Sequence, residues 1–369
     1  MRIDELDFDL PPELIATTPA EPRDTARLMV IHRKAQCVEH RTVRDLPKYL
    51  RAGDLMLFNE SRVLPARFEA VRAATGGVVE GLFLSAAADG RSWRVMLESG
   101  GKLREGETLL MREGSQELAS LVLLEKGERG QWRVGVQSEL ATVELLNRVG
   151  TMPLPPYIRQ QRKAAGQAQV TQDDAQRYNT VYANTPGSVA APTAGLHFTP
   201  ELLQEIEDAC VLRKSVTLHV GLGTFAPVRV ERLEDHAMHS EWVSVPEATI
   251  RALRLFDPYD ITHLPRRRIC VGTTTVRAVE SLPDPLPEQG DFVTDTNLFI
   301  TPGNERTPSF TFRYTDVLMT NFHLPQSTLL ALVAALPDVG VSKLLSWYEL
   351  AVREKYRFYS YGDAMLLLP

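Results

Sequence analysis

Ile269-Cys-Val-Gly-Thr-Thr-Thr275 carries a short apolar stretch into a glycine and three threonines, after which Val276-Arg-Ala-Val-Glu280 continues with helical spacing. A strand that ends at Val271, turns on Gly272 and enters a helix is the junction of an α/β unit. Three further stretches are built alike: Ser188-Val-Ala-Ala-Pro-Thr-Ala-Gly-Leu-His-Phe198, Val216-Thr-Leu-His-Val-Gly-Leu-Gly-Thr224 and Leu318-Met-Thr-Asn-Phe-His-Leu-Pro325. Three of the four then open a helix. Because α/β folds bind ligands just beyond the carboxyl ends of their strands, these stretches predict one polar site assembled from several strand ends.

The surrounding chain supports an α/β architecture. Residues ~1–60 alternate strand-like and helical pieces up to the buried-strand pattern Asp54-Leu-Met-Leu-Phe-Asn59. Between Pro65 and Gly150 the texture changes to short apolar runs separated by Gly and charged turns. These are Gly77–Leu84, Trp93–Leu97, Thr108–Met111, Leu118–Leu124 and Gln131–Val136, the pattern of a small all-β barrel or sandwich. Met152-Pro-Leu-Pro-Pro-Tyr157 punctuates the chain, and the polar residues 158–180 read as a mobile surface segment. Strands then alternate with helices to the end. Thr199 and Ser327 stand at N-cap positions, and Leu344–Tyr356 is amphipathic.

Composition narrows the class. With 369 residues, 44% of them hydrophobic, the chain can bury the cores of two or three domains. No run approaches the ~20 apolar residues of a membrane span. The acidic start and the three scattered cysteines, Cys37, Cys210 and Cys270, lead us to expect a cytoplasmic protein without disulfides. A net charge of −6 argues against a surface dominated by phosphate contacts, yet leaves room for local basic clusters at Arg62, Arg67 and Arg72 and at Arg159, Arg162 and Lys163.

Several residues could carry chemistry. Val220-Gly-Leu-Gly-Thr-Phe225 lacks the third glycine and the following helix of a dinucleotide fingerprint, so that reading is rejected. The Gly272-Thr-Thr-Thr turn is a sound anion cradle, with simple N-capping as the alternative. His236 and His239 stand three apart, but a strand follows at once and nothing completes a coordination set, so no metal is expected. His197, His219 and His323 each fall at a strand end or in a loop, where acid–base work is plausible chemistry for at least one of them. Asp295 adds a carboxylate, while Tyr178 and Tyr182 have packing as their default role.

Long motifs in order then resemble a known family. Phe58-Asn-Glu-Ser-Arg-Val-Leu-Pro-Ala-Arg67, Met152–Ile158, Tyr178-Asn-Thr-Val-Tyr182, Ala190–Phe198 and Val216–Phe225 match it. So do Asp235–Glu241, Val271–Arg277, Thr320–Pro325 and Glu354-Lys-Tyr-Arg-Phe-Tyr-Ser-Tyr-Gly-Asp-Ala-Met365. All are similar to the S-adenosylmethionine:tRNA ribosyltransferase-isomerases of queuosine biosynthesis. Two local departures stand out: Val78 where the family often has Lys, and an apparent insertion at residues 304–309.

The resemblance implies a discontinuous α/β barrel-like main domain, residues 1–62 and 152–369, with an all-β barrel inserted at 63–151. It implies transfer and isomerisation of the ribosyl part of S-adenosylmethionine onto 7-aminomethyl-7-deazaguanine at the tRNA wobble position. Epoxyqueuosine forms, and adenine and methionine leave. S-adenosylmethionine is then a co-substrate rather than a bound cofactor, and a monomer is expected. His197 or His219 is the expected C5′ base, His323 the proton donor to adenine, and Asp295 the holder of the aminomethyl group. Thr273, Thr274 and Arg277 are expected at the methionine carboxylate. Thr193, Gly221, Gly223, Thr224, His236, His239, Glu241, Asn321 and Tyr182 are expected to line the substrate pocket, and Arg62, Arg67, Arg159 and Arg162 to touch tRNA. A sugar or nucleotide hydrolase and a non-catalytic RNA-binding module are the rival readings.

Overall fold

The computed structural model describes residues 1–87, 89–128, 130–221, 230–255, 266–303 and 308–369. Contacts divide the chain into two units: Met1–Ser61, Thr180–Thr185 and Pro192–Pro369 in one, and Arg62–Asn179 with Pro186–Ala191 in the other.

The first unit is built on a nine-stranded mixed sheet. Its order is Phe292–Thr296, Glu241–Val245, Leu212–Leu218, Leu55–Asn59, Arg268–Val271, Val317–Asn321, Ala364–Leu368, Arg27–His32 and Cys37–Thr42. The four strands from Leu212–Leu218 to Val317–Asn321 are adjacent and mutually parallel. Their carboxyl ends therefore lie side by side along one edge. Leu55–Asn59, Val317–Asn321 and Ala364–Leu368 are buried at every position, as strands covered on both faces must be. On one face, Met56, Phe58, Ile269, Val271, Val317 and Met319 pack against Leu202, Leu203 and Ile206 of helix Pro200–Asp208.

Local signals start the helices where the sequence placed them. Thr199 Oγ1 accepts from Leu202 N at 3.1 Å and Ser327 Oγ from Leu330 N at 3.2 Å, each taking up an amide that a helix start leaves unpaired. The strand–turn–helix at Gly272 is also present. Gly272 has φ of 92°, which a side chain would resist, and helix Thr273–Glu280 follows immediately.

The second unit holds a closed antiparallel barrel. Strands Arg67–Arg72, Val78–Ala86, Ser92–Ser99, Gln131–Gln137, Gln116–Lys126 and Thr108–Glu113 pair in that order, and Val71 opposite Leu110 closes the ring. Alternate residues point inward, among them Val79, Trp93, Val95, Leu109, Leu121, Leu123 and Val134. Gly81 stands opposite Phe68 in the ladder, and a Cβ there would come within 2.2 Å of the Phe68 ring. The barrel interior thus takes the phenyl ring in place of a side chain.

The polar segment 158–180 differs from the sequence expectation of a mobile surface stretch. Helix Pro156–Ala164 is anchored by the fully buried Ile158. Arg162 donates two hydrogen bonds to the Asp174 carboxylate, at 2.7 and 2.9 Å, with both side chains at least nine-tenths buried. The Arg162 fork is thus engaged inside the protein, which weighs against Arg162 as a tRNA contact. The segment also clusters with the barrel, whereas the sequence reading had placed it in the α/β domain.

Removing one member of that ion pair strands the other charge in the interior. Arg162→Met is expected to cost about 3–5 kcal/mol, seen as a large drop in the thermal or urea midpoint. A midpoint within experimental scatter of the parent would show that the pair does not hold the segment.

Candidate active site

The parallel strand ends meet at Asn59, which is fully buried. Its Nδ2 donates to the Leu218 carbonyl at 3.0 Å and to Thr274 Oγ1 at 3.2 Å. Its Oδ1 accepts from the backbone N–H groups of Ser61 and Leu218, both at 3.1 Å. One amide thereby ties together the ends of two strands and the first turn of helix Thr273–Glu280. Asn59 and Ser61 stand in a matching motif, but their roles were missed, because nothing local distinguishes a strand-end Asn from a turn residue.

His219 follows directly. Its Nδ1 lies 3.1 Å from Ser61 Oγ, and its ring stacks on Trp242 at 4.9 Å with 19° between planes. No partner is described for its Nε2. Burial pushes its pKa down to about 4, so the ring is neutral through the physiological range. Trp242 went unnoticed in the sequence, where it reads as one position of an alternating strand. Asp295 pairs directly across from Trp242 on the edge strand and is exposed.

His197 closes the turn Thr193–His197 and meets Asn321 at the end of the neighbouring strand. Asn321 Nδ2 donates to the Tyr359 carbonyl at 3.1 Å and lies 3.3 Å from His197 Nε2. A carbonyl only accepts, so the amide orientation is set, and His197 Nε2 must be an acceptor as well. The ring proton then sits on Nδ1, and the Nε2 lone pair is occupied. Burial, followed by the positive charges of Arg357 and Arg23, lowers the His197 pKa to about 3. Asn321 Oδ1 is itself buried without a partner among the described residues.

His323 Nε2 lies 3.0 Å from Thr320 Oγ1, and burial lowers its pKa to about 3. Desolvation disfavours the protonated ring, which weighs against His323 as the proton donor to adenine. Arg277 also departs from expectation. Its Nη1 is ion-paired with the buried Glu241, whose other oxygen accepts from Gly221 N at 3.0 Å, and its Nε donates to the Leu298 carbonyl at 3.2 Å. Its charge is thus balanced internally, which weakens a role in holding a carboxylate, although Nη2 has no partner. His236, His239, Glu241 and Arg277 line one recess with Met238, Thr328 and Leu329.

Thr273 and Thr274 are buried in the first turn, and Thr193 opens the turn that ends at His197. Tyr182 packs edge-on against Phe58 and Phe198, and its hydroxyl occupies the space where a Cβ on Gly195 would sit. Gly223 and Thr224 lie outside the described residues.

The arrangement is a set of neutral, mostly buried hydrogen-bonding groups on one sheet edge. The sequence model described as queuosine biosynthesis protein matches residues 3–367. The chain belongs to this family. Among curated members, the S-adenosylmethionine:tRNA ribosyltransferase-isomerase of Thermotoga maritima is 44% identical, covering 100% of both chains. The enzyme of the same name from Rubrobacter xylanophilus is 46% identical over 100% of this chain and 98% of its own. A crystal structure of S-adenosylmethionine tRNA ribosyltransferase from Thermotoga maritima shares 35% identity with a TM-score of 0.53, covering 99% of this chain and 100% of that one. Membership in the queuosine biosynthesis family accords with the expected α/β class and inserted β-barrel.

Three neutral histidines, two buried and His219 partly so, make this family member sensitive to acid. Their folded values of about 3, 4 and 3 lie below the ordinary 6.5, so as pH falls the unfolded chain takes up protons first. Their contribution to stability is complete above about pH 6.5 and is lost progressively toward pH 3–4. The urea midpoint should fall between pH 7 and 4, and His323→Gln should flatten that fall. An unaltered pH slope in the variant would count against the buried neutral ring.

Proposed function

We propose that this chain is an S-adenosylmethionine-dependent tRNA ribosyltransferase-isomerase. It moves the ribosyl group of S-adenosylmethionine onto 7-aminomethyl-7-deazaguanine at the tRNA wobble position, with loss of adenine and methionine. Full-length similarity to enzymes of that name supports the reading. The observation that carries the chemistry is His219, whose Nδ1 meets Ser61 and whose Nε2 has no described partner.

The first step needs a base at the ribose C5′, where the adjacent sulfonium acidifies the C–H bond. His219 is the best candidate of the three histidines, since it is the only one of them not fully enclosed and the lone pair of His197 is engaged by Asn321. An imidazole with a value near 4 is a weak base, so position rather than basicity supplies most of its effect. The same low value makes its conjugate acid strong. His219 can then pass the proton taken from C5′ to the departing adenine, a task that His323 is not charged to perform. The unprotonated aminomethyl nitrogen attacks the ribose fragment, and methionine leaves as a neutral thioether. Asp295, exposed on the strand beside Trp242, is the candidate to hold the amine. The protein acts as a cytoplasmic monomer and needs no tightly bound cofactor.

Incubation with S-adenosylmethionine and precursor-bearing tRNA should give an epoxyqueuosine mass after nucleoside digestion. His219→Ala should lower kcat by roughly 10²-fold or more, while His197→Ala and His323→Ala should act mainly through stability. Adenine release without tRNA would favour a hydrolase, and tRNA binding without consumption of S-adenosylmethionine would favour an RNA-binding module.

A further inference from the structure

Two strands finish one edge of the nine-stranded sheet, Glu241–Val245 and Phe292–Thr296. Their antiparallel ladder sets Trp242 opposite Asp295 and Ser244 opposite Val293. Glu241, Val243 and Val245 are buried, so by strand alternation Trp242 and Ser244 stand on the other face. That face is open: Trp242 is 37% exposed, Val293 54%, and Asp295 is exposed as well. On the inner side the ladder continues, with Leu218 opposite Val243 and His219 N donating to the Trp242 carbonyl at 3.0 Å. His219, Trp242 and Asp295 therefore form one row across three neighbouring strands.

The His219 and Trp242 rings stack with centroids 4.9 Å apart and 19° between planes. A ring that lies parallel to its cross-strand neighbour turns its second face toward the strand on the other side. For Trp242 that strand carries Asp295, a side chain too short to cover an indole. Among the described residues no ring or cation stacks on the second face, and no group accepts from the indole N–H. Holding the His219 ring in one plane uses the first face only and needs no exposure. The second face is a flat apolar surface bordered by a carboxylate, and Val293 at the diagonal position extends it.

We infer that the open face of Trp242 is the stacking platform for the acceptor base of the tRNA, with Asp295 taking that base's aminomethyl group. The inference rests on the function proposed above and names the part of its site that holds the acceptor. A flat indole with one free face suits a planar base, which gains stacking wherever it meets a π surface. The platform opens to solvent, where a base splayed out of a polynucleotide can reach it. The neighbouring carboxylate repels phosphate and favours a base that carries an ammonium group, as an alkylamine does near neutral pH. A base stacked there lies one ring beyond His219, beside the proposed proton acceptor.

The test uses the full-length protein with tRNA carrying either the aminomethyl base or unmodified guanine at the wobble position. Trp242→Ala should weaken binding of both tRNAs by about tenfold, and Trp242→Tyr should restore most of it, because a ring remains. Asp295→Asn should weaken only the aminomethyl tRNA, so that the two bind alike. The other three tryptophans, Trp93, Trp132 and Trp347, are buried, so quenching by a stacked base reports on Trp242. Binding of tRNA should therefore quench the parent's fluorescence, and the quenching should vanish in Trp242→Tyr. Unchanged tRNA affinity in Trp242→Ala with a lowered kcat would make Trp242 a support for His219 alone and overturn the platform. A KM raised for S-adenosylmethionine, with tRNA affinity intact, would put adenine there and overturn it too. So would quenching that survives in Trp242→Tyr, or a Tyr variant that folds but does not recover affinity. Equal parent affinity for the two tRNAs would overturn the pairing with Asp295. Failure of the functional reading shows separately, as a parent protein that tRNA quenches but that yields no epoxyqueuosine.

Discussion

Everything at the candidate site depends on how the Asn59 side chain finishes a parallel ladder. Where parallel strands end, their last backbone groups lose their partners, and a buried orphan is costly. Asn59 supplies one acceptor and two donors at that point, binding both the N–H and the carbonyl of Leu218. That contact sets the path of the chain into His219. The same amide positions Ser61, which meets the His219 ring, and reaches Thr274 at the helix start. A carboxylate would bring no donor for the Leu218 carbonyl, and an aliphatic residue would leave four groups unpaired.

The two edges of the sheet divide the work. At the amino ends of the same strands, Asp54 and Arg267 form a buried ion pair at 2.5 Å, and Arg267 also donates to the Tyr49 carbonyl. Arg268 and Asp316 pair at 2.8 Å beside it. These charges are matched and serve stability. The carboxyl ends instead gather neutral rings, amides and hydroxyls, with buried atoms left open at Asn321 Oδ1 and Arg277 Nη2. Unmatched polar atoms among the described residues of this edge suit a site awaiting a polar ligand.

Burial and hydrogen-bond partners together separate the three histidines. All three are buried enough to be neutral, yet His197 faces an amide whose other commitment leaves it only a proton to offer. His323 is taken by Thr320. Among the described residues each of the three has one ring nitrogen held and the other without a partner. His219, however, is only partly buried where His197 and His323 are buried, and its stack on Trp242 limits the ring to one plane.

The strand-end loops, the barrel strands and the helix caps were legible in the sequence, because each is written in residues a few positions apart. Apolar runs of strand length, glycine at the turn and Thr or Ser at the cap depend only on local sterics and local hydrogen bonds. The roles of Asn59, Ser61 and Trp242 were not legible, nor was the pairing of Arg162 with Asp174 and of Arg277 with Glu241. Apart from Asn59 with Ser61, these pairings join residues between 12 and 215 positions apart, and only the fold brings those groups together. The sequence by itself determined the class of fold and the edge at which polar groups collect. The tertiary structure decided which of those groups are spent on the protein itself and which remain open, because burial and long-range partners, not residue type, set a side chain's charge and its free lone pairs.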